Sequence, residues 1–356
     1  MEGLELVSTA AAVPERRVAN DDLSQIMDTN DEWIFSRTGI HSRYFCGKNE
    51  STLTLALRAA EDAVRRAGIR PDEIGCVVVG TCSGDYATPG ISCLVQSALG
   101  LPDDIPATDV NSACTGFVYA TEVARGFLQD SDRPYALVIA SEQISKFLDM
   151  SDRSTAVLFG DGAGAAVMKK TKGADYRRVL GSSGGLEIRM PGAAARNVPA
   201  VDPEASGSGP VSLKMDGKAV FRFATGAMRR GIETLLRDSG KTMEDIDWVV
   251  CHQANARIID YCVKKLKAPS EKFFENMDHF GNTSGASIPL ALNEMNEKHL
   301  LKAGQTILMV GFGSGLSWGG VLMQCSPSFA EAGTERVFRS ENGGKEESEE
   351  VRDVHD

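Results

Sequence analysis

Residues 57–79 read LRAAEDAVRRAGIRPDEIGCVVV, a helical pattern that ends in glycine and is followed by an apolar strand pattern. Apolar residues recur at helical spacing as far as Gly68, and glycine is typical just after a helix. The same order returns at residues 228–251, where the helical pattern ends at Gly240. Gly240 follows Gly68 by 172 residues, and the two strand patterns are separated by the same interval. This repeat predicts an α/β fold of two strand–helix halves stacked as a pseudo-dimer.

The length and composition argue against several classes of protein. At 356 residues with 42% hydrophobic residues, the chain can form a large core and is long enough for two domains. A net charge of −11 argues against nucleic acid or an anionic membrane as a bulk partner. The opening residues lack a basic segment and a long apolar stretch, so we expect a cytoplasmic protein without a signal peptide or membrane span. The eight cysteines are scattered singly, which favours reduced thiols and no metal site.

The repeat also sets the expected domain boundaries. Residues 1–172 form the first half and residues 173–326 the second, and the apolar run at 135–140 suits a strand buried on both faces. A glycine- and proline-rich stretch at 181–210 is expected to form a surface loop. Residues 327–356 are expected to form a flexible acidic tail with no catalytic part, because their last stretch is charged and almost free of apolar residues.

A candidate nucleophile, Cys114, lies in the run DVNSACTGF at 109–117, between a strand pattern and a helix pattern. At the start of a helix, unpaired N–H groups and the helix dipole favour a negative charge. This position predicts a thiol pKa lowered from about 8.5 to roughly 3.5–7.5, whereas a buried, inert cysteine is the alternative. Two later segments favour the nucleophile. They are HQAN at 252–255, directly after an apolar strand pattern, and GNTSGAS at 281–287.

Together these three segments resemble the β-ketoacyl-ACP synthase III family of the thiolase superfamily, whose members start fatty-acid chains. The resemblance runs from about residue 21 to residue 324. It includes DEWI at 31–34 with RTGI at 37–40, which are similar to the family's coenzyme A entrance, and the glycine turns FGDGAG and GFGSG. It implies a thiolase-like fold, in which two pseudo-repeated halves hold central sheets covered by helices.

The resemblance implies a decarboxylative Claisen condensation through an acyl-cysteine intermediate. Cys114 would take the acyl group of an acyl-CoA primer, and the backbone N–H groups of Cys114 and Ser314 would hold the oxyanion. Most relatives have glycine at the position of Ser314. His252 and Asn282 would donate hydrogen bonds to the enolate that malonyl-ACP forms when it loses carbon dioxide. No cofactor is implied, because coenzyme A enters as part of the thioester substrate.

The same resemblance assigns further residues to substrate binding. Those implied to bind coenzyme A and the acyl chain are Trp33, Arg37, Arg153, Gly217, Phe221 and Asn255. Those implied to dock the acidic carrier protein are Arg222, Arg257, Lys264 and Lys265. Thr88 stands where relatives restricted to acetyl primers carry a phenylalanine that reaches the acyl pocket from the partner subunit. The resemblance therefore implies a homodimer with a wider pocket than in those relatives. It also implies that the stretch at 181–210 is a loop beside the substrate channel.

Three other motif readings fit less well. The order and spacing of Cys114 and His252 also suit a papain-like protease, but the residues around Cys114 differ from that family and lie far from the N-terminus. GSSGG at 181–185 matches a nucleophile elbow, yet no helix pattern follows it. The glycine turns at Gly160 and Gly311 imitate dinucleotide-binding turns, but each leads into a strand-like run.

Two alternative functions stay open at this point. A related initiating synthase or acyltransferase of a polyketide, alkylquinolone or other secondary-metabolite pathway would use the same catalytic residues. A catalytically silent scaffold is the alternative from another class, and the intact Cys114, His252 and Asn282 argue against it. The sequence leaves the primer length open, as well as the choice between malonyl-ACP and malonyl-CoA.

Overall fold

The computed structural model of the protein describes residues 2–190 and 212–332. The predicted acidic tail lies outside the described residues from position 333 onward, as do residues 191–210 of the predicted loop. No helix in the described ranges is both long enough and apolar enough to cross a lipid bilayer.

Strands and helices alternate along most of the chain. The strands in the described ranges are β1 (Gly3–Ala12), β2 (Arg16–Ala19), β3 (Ser42–Phe45), β4 (Ile74–Gly80), β5 (Ala107–Val110), β6 (Tyr135–Glu142), β7 (Gly162–Thr171), β8 (Arg177–Gly185), β9 (Ile188–Arg189), β10 (Lys214–Met215), β11 (Trp248–Cys251), β12 (Thr306–Gly313) and β13 (Gly315–Cys325). The α-helices there are α1 (Asn20–Ser24), α2 (Asp31–Thr38), α3 (Thr52–Ala67), α4 (Ile91–Ala98), α5 (Gly116–Gln129), α6 (Gly217–Ser239), α7 (Ala256–Leu266), α8 (Met277–Phe280) and α9 (Ser287–Glu297).

The main sheet consists of two half-sheets with the same strand order. In the first, β5, β4 and β6 run parallel, and β7 pairs antiparallel with both β6 and β1. In the second, β11 and β12 are parallel, and β13 pairs antiparallel with both β12 and β8. A parallel bridge between Val249 and Phe273 occupies the place of the β4–β5 pair. The half-sheets join where Glu5 and Leu6 of β1 pair with the end of β13.

The helices repeat in the same way. The helix α3 packs on the first half-sheet and α6 on the second, and each ends at a glycine with positive φ, 64° at Gly68 and 70° at Gly240. Glycine adopts this left-handed conformation without the steric cost that a Cβ adds. The helices α5 and α9 share one buried cluster with strands of both halves. The predicted α/β architecture of two repeated halves with sheets covered by helices is therefore confirmed.

The predicted domain division falls between two strands. The strand β7 ends at Thr171 and β8 begins at Arg177, so the boundary at residue 172 lies in their connection. The central cluster is built by both halves. The assignment of 1–172 and 173–326 as separate domains stays a prediction.

The predicted surface loop is wrong for residues 181–185 and 188–189. Residues 181–185 belong to β8, and residues 188–189 form β9. Glycine and serine have low strand propensity, but Gly181 pairs with Trp318 of β13, and a Cβ on Gly181 would lie 2.6 Å from the indole ring. The close approach of this ring explains the glycine. The GSSGG motif is thus part of a strand, which agrees with the rejection of a nucleophile elbow.

Candidate active site

The site forms where two equivalent turns of the repeat meet. A 3₁₀ turn, Ala113–Thr115, leads into α5, and a second, Ser284–Ala286, leads into α9. Each turn begins with a residue of positive φ, 45° at Ala113 and 52° at Ser284. The turns approach each other closely, because a Cβ on Gly285 would lie 2.9 Å from the backbone oxygen of Ala113. The repeat therefore brings the starts of two central helices into contact.

Cys114 is the central residue of the first turn. It is 5% exposed and lines two adjoining cavities. The first cavity is also lined by His252 and Asn282, and the second by Ser314. The backbone at Gly313 passes so close that a Cβ there would lie 2.7 Å from the Cβ of Cys114. The structure thus brings together the four residues that the sequence singled out as catalytic.

The prediction of a lowered thiol pKa is wrong. Burial raises the pKa of Cys114 to about 11, and the nearby Glu142 carboxylate acts in the same direction. The hydroxyl of Ser284 and the backbone N–H groups of Cys114 and Ser314 lower the pKa by hydrogen bonding, but burial outweighs them. The sequence predicts the N–H donors at the start of the helix, but it does not reveal how deeply the sulfur of Cys114 is buried.

His252 follows β11 and is held by a serine of the second turn's helix. Its Nδ1 lies 2.7 Å from the Oγ of Ser287, which also accepts a hydrogen bond from the Gln253 N–H at 3.3 Å. We assign the hydroxyl hydrogen to the bond with Nδ1, which leaves the ring hydrogen on Nε2. Burial lowers the pKa of His252 to about 3, so the ring is neutral near pH 7. The side chain is therefore a neutral N–H donor.

Asn282 is fixed in both backbone and side chain. Its Oδ1 accepts a hydrogen bond from the Ser284 N–H at 2.9 Å, which assigns the amide orientation and directs Nδ2 away from that bond. Its own N–H donates to Leu158 O at 2.8 Å, and its carbonyl accepts from the Gly160 N–H at 3.0 Å. A Cβ on Gly160 would lie 2.5 Å from the carbonyl oxygen of Phe280. The first glycine motif therefore positions the backbone of Asn282, and it leads into β7 and not into the start of a helix.

The arrangement suits chemistry on a carbonyl compound. A thiol stands at the junction of two cavities, with neutral N–H donors from His252 and Asn282 on one side. Backbone N–H groups of Cys114 and Ser314 point to the sulfur. Such a set can combine nucleophilic attack with stabilisation of a negatively charged oxygen.

The residues predicted for the entrance lie in two groups. Gly217, Phe221 and Asn255 line the same cavity as Cys114. Beyond them, the guanidinium groups of Arg37 and Arg153 lie 4.5 and 4.9 Å from the ring centroid of Trp33. These two groups are connected, because the Nδ2 of Asn255 donates to the backbone oxygen of Arg37 at 3.0 Å.

The basic residues predicted to bind a carrier protein are exposed on two helices that pack together. Arg222 lies on α6, while Arg257, Lys264 and Lys265 lie on α7. Arg257 also donates to the backbone oxygen of Ser36 at 2.7 Å. A shallow depression is lined by Lys218 and Arg222 together with Gly217 and Phe221, which also line the first cavity.

Thr88 is exposed and lines neither of the two cavities next to Cys114 in its own chain. Its predicted place in the acyl pocket depends on a second subunit, and it stays a prediction.

Three functional candidates were missed by sequence reasoning. Ser287 orients His252, while Ser284 and Glu142 form a buried chain of hydrogen bonds to Cys114. The serines stand inside the GNTSGAS segment, so their position was available. Glu142 could have been noticed as an acidic residue at the end of an apolar strand.

Comparisons with known proteins agree with this geometry. The family model described as 3-oxoacyl-[acyl-carrier-protein (ACP)] synthase III matches residues 108–185, and the model of its C-terminal part matches residues 236–325. The chain is 44% identical to beta-ketoacyl-[acyl-carrier-protein] synthase III of Clostridium acetobutylicum over 332 residues, covering 91% of this chain and 99% of the relative.

Solved structures give the same result. The synthase III structure from Thermus thermophilus superimposes with a TM-score of 0.82 at 37% identity, covering 91% of this chain and 99% of the other. The priming β-ketosynthase of the R1128 polyketide pathway superimposes with a TM-score of 0.84 at 34% identity, covering 91% and 97%. The predicted resemblance and the thiolase-like fold class are confirmed. The chain belongs to the β-ketoacyl-acyl-carrier-protein synthase III family.

Proposed function

We propose that the protein is an acyltransferase that condenses an acyl-CoA primer with malonyl-ACP and so initiates fatty-acid synthesis. The observation that carries this proposal is the cavity that Cys114 shares with His252 and Asn282. One nucleophile and two neutral donors are what a decarboxylative condensation requires. The likeness to synthase III enzymes over nine-tenths of the chain supports the same conclusion.

In the first step, the sulfur of Cys114 attacks the thioester carbonyl of the primer. The carbon–sulfur bond to coenzyme A breaks, and coenzyme A leaves as a thiolate. The negative oxygen formed on the way is held by the backbone N–H groups of Cys114 and Ser314. One such donor contributes roughly 2.7–4 kcal/mol in the transition state.

In the second step, malonyl-ACP loses carbon dioxide, and the electron pair of the broken bond forms an enolate. The enolate oxygen accepts hydrogen bonds from His252 Nε2 and Asn282 Nδ2. A neutral ring suits this role, because the low pKa of His252 makes it a donor of a hydrogen bond and a poor base. The enolate carbon then attacks the acyl group, and the Cys114 thiolate is released. Neither step requires a cofactor or a metal.

The primer would enter along the residues that lie between the protein surface and Cys114. Arg37 and Arg153 offer charge to the phosphates of coenzyme A, and Trp33 offers an aromatic face to its adenine. The pantetheine arm would pass Gly217, Phe221 and Asn255. The basic residues Arg222, Arg257, Lys264 and Lys265 would attract an acidic carrier protein despite the net charge of −11. These substrates suggest the cytoplasm as the location.

We further propose that the enzyme is a homodimer. In the main sheet, β5 stands at an edge, and an edge strand can pair with another chain. Tyr86, close to Thr88, is 61% exposed in the single chain. In the dimer, Thr88 of each subunit would border the acyl pocket of the other.

The test of the function measures both steps with a panel of primers. Acetyl-, butyryl-, hexanoyl- and octanoyl-CoA are offered with malonyl-ACP or malonyl-CoA, and acylation is located by peptide mass spectrometry. Condensation with malonyl-ACP supports the proposal, and acylation without condensation contradicts it. A pathway of secondary metabolism is the second candidate, because the R1128 priming ketosynthase is 34% identical. Exclusive use of a primer or extender unit that does not occur in fatty-acid synthesis would favour the secondary-metabolite pathway.

The same panel tests the pocket at Thr88. Because each further buried methylene contributes about 0.8 kcal/mol, the native enzyme is expected to accept primers longer than acetyl, and Thr88→Phe to lose the longer ones. Strict acetyl preference that Thr88→Phe leaves unchanged would contradict this role. Light scattering checks the dimer, and a monomer at micromolar concentration would overturn it.

A further inference from the structure

A buried carboxyl group with neutral surroundings lies behind the nucleophile. Glu142, the last residue of β6, is fully buried. It accepts hydrogen bonds from the Cys82 N–H at 3.2 Å, the Cys82 thiol at 3.3 Å, the Thr81 hydroxyl at 3.3 Å and the Ser83 hydroxyl. Within residues 2–190 and 212–332, no cationic side chain forms an ion pair with it. Burying a carboxylate without a cation is costly, and such groups are concentrated at functional sites.

Ser284 connects this carboxyl group to the nucleophile. Its Oγ lies 3.2 Å from Oε1 of Glu142 and 3.5 Å from Sγ of Cys114, and the residue is 2% exposed. The first and second turns of the repeat thus face each other through a chain of thiol, hydroxyl and carboxylate. This chain of hydrogen bonds is shielded from bulk water. Its ends are an acid, the Cys114 thiol, and a base, the Glu142 carboxylate, between which a proton can pass.

We propose that Glu142 accepts the proton of Cys114 and that Ser284 carries it. The S–H bond of Cys114 breaks as its proton passes to Oγ of Ser284, and the hydroxyl proton of Ser284 passes to Oε1 of Glu142. The products are a thiolate and a neutral carboxylic acid. This step rests on the proposed function in one respect: the thiolate that it forms is the group that attacks the primer.

The proton balance closes over the cycle. The coenzyme A thiolate that leaves takes its proton from solvent. After condensation releases the Cys114 thiolate, Glu142 returns the stored proton along the same path. The site therefore holds one negative charge before and after each transfer.

Electrostatics favours this path over loss of the proton to water. Burial raises the pKa of Cys114 to about 11 and also raises the pKa of Glu142. If the thiol lost its proton to water, two negative charges would stand on either side of Ser284. Transfer to Glu142 moves the existing charge and adds none, so the cost of burying a second charge is avoided.

The other candidate base is poorly suited. His252 uses Nδ1 in the bond to Ser287, and its low pKa of about 3 leaves little affinity for a proton. Among residues 2–190 and 212–332, the titratable groups that face Glu142 are Cys82, in direct contact, and Cys114, through Ser284. Both are neutral thiols near pH 7 because burial raises their pKa values. Glu142, which is linked to Cys114 through Ser284 and whose pKa is raised by burial, is therefore the better acceptor.

The experiment follows single-turnover acylation of Cys114 between about pH 6 and pH 9. In the wild type, the acceptor lies inside the protein, so the rate is expected to change little with pH. In Glu142→Gln, the proton must leave to solvent, so the rate should start about 100-fold lower near pH 6 and rise about tenfold per pH unit. Parallel profiles, or a faster Glu142→Gln enzyme near pH 6, would show that the carboxylate only repels the thiolate and would overturn the proposal.

Further variants separate proton transfer from structural support. Glu142→Asp keeps the base and is expected to keep a flat profile, which a purely structural role would not predict. Ser284→Ala removes the carrier and should slow acylation at low pH as Glu142→Gln does; an undiminished rate would overturn the relay. The pH dependence of alkylation by iodoacetamide gives the same comparison without acyl-CoA. If no primer acylates the wild type, the proposed function fails, while different alkylation profiles of wild type and Glu142→Gln would still support Glu142.

Discussion

The two halves of the molecule contain the same turn and helix but present different chemistry. In the first half, Ala113–Thr115 and α5 place a thiol at the meeting point. In the second half, Ser284–Ala286 and α9 place hydroxyl groups there, with the amide of Asn282 just before them. The backbone of the repeat therefore sets the geometry, while single side chains decide which half presents the thiol and which the hydroxyl and amide groups.

The strongest test of this difference between the halves is to remove the thiol of Cys114. The second turn has a glycine, Gly285, at the equivalent position. Cys114→Ala is expected to abolish acylation and to lower condensation by at least about 10⁴-fold, because no other group can form the acyl-enzyme. Peptide mass spectrometry of the native enzyme should find the acyl group on the peptide that contains Cys114. Cys93→Ser, at an exposed thiol, serves as the control. An acyl group on any other cysteine would contradict the assignment.

A smaller effect is expected when the second half loses its amide donor. Asn282→Ala should retain self-acylation and lower condensation by about 10²–10³-fold, because the enolate loses one donor. Asn282→Asp is the matched variant, since it keeps an acceptor for the Ser284 N–H and removes the Nδ2 donor. Rapid quench separates the two steps, and equal loss of both would refute the division between the halves.

The ion pairs of α5 and α9 offer a comparison in stability. On α5, Glu122 pairs with Arg125 at 3.1 Å, and arginine keeps its charge at all ordinary pH values. On α9, Glu294 pairs with His279 of α8 at 3.2 Å. Hydrogen bonds to Asp278 and Glu294 raise the pKa of His279 to about 9. The ion pair on α9 therefore titrates near neutral to alkaline pH, whereas the one on α5 does not.

A group with a raised pKa stabilises the folded state fully below its unfolded pKa and loses that contribution as pH rises through the folded value. We expect the free energy of unfolding to fall by about 1–2 kcal/mol between pH 6.5 and pH 9.5, since these groups are partly exposed and screened. His279→Gln should remove this part of the pH dependence in urea unfolding. If the free energy of unfolding falls equally steeply with pH in wild type and His279→Gln, another group causes the pH dependence.

The smallest effect concerns the outer helices that follow β4 and β11. The helix α4 has no charged residue, whereas α7 carries Arg257, Lys264 and Lys265. Reversing Lys264 and Lys265 to glutamate is expected to raise the KM for malonyl-ACP about five- to tenfold and to leave that for acyl-CoA unchanged. The control reverses the exposed Lys48 and Lys172, which alters the net charge equally. Equal KM changes in both double variants would favour a general charge effect.

Sequence reasoning succeeded where a pattern is local or repeated. The interval of 172 residues predicted the two halves, and motifs of a few residues led to Cys114, His252 and Asn282. It failed where the outcome depends on distant partners. The pKa of Cys114 is set by burial under both halves, and Glu142 and Ser284 meet only after folding. Residues 181–185 form a strand because β13 supplies its hydrogen bonds, which no local propensity indicates.

The hydroxyl of Ser314 donates to the backbone oxygen of Ile188 at 2.7 Å, and Ile188 lines both cavities. In the proposed mechanism, this bond would connect the wall of the acyl pocket to the residue whose N–H holds the oxyanion. An acyl chain that displaces the wall would displace that donor as well. The hydrogen bond between Ser314 and Ile188 would then couple primer selection to the turnover rate. Enlarging the pocket by substitutions around Ile188 would change kcat as well as KM. Ser314→Gly would uncouple the two, at the expense of a less rigid donor.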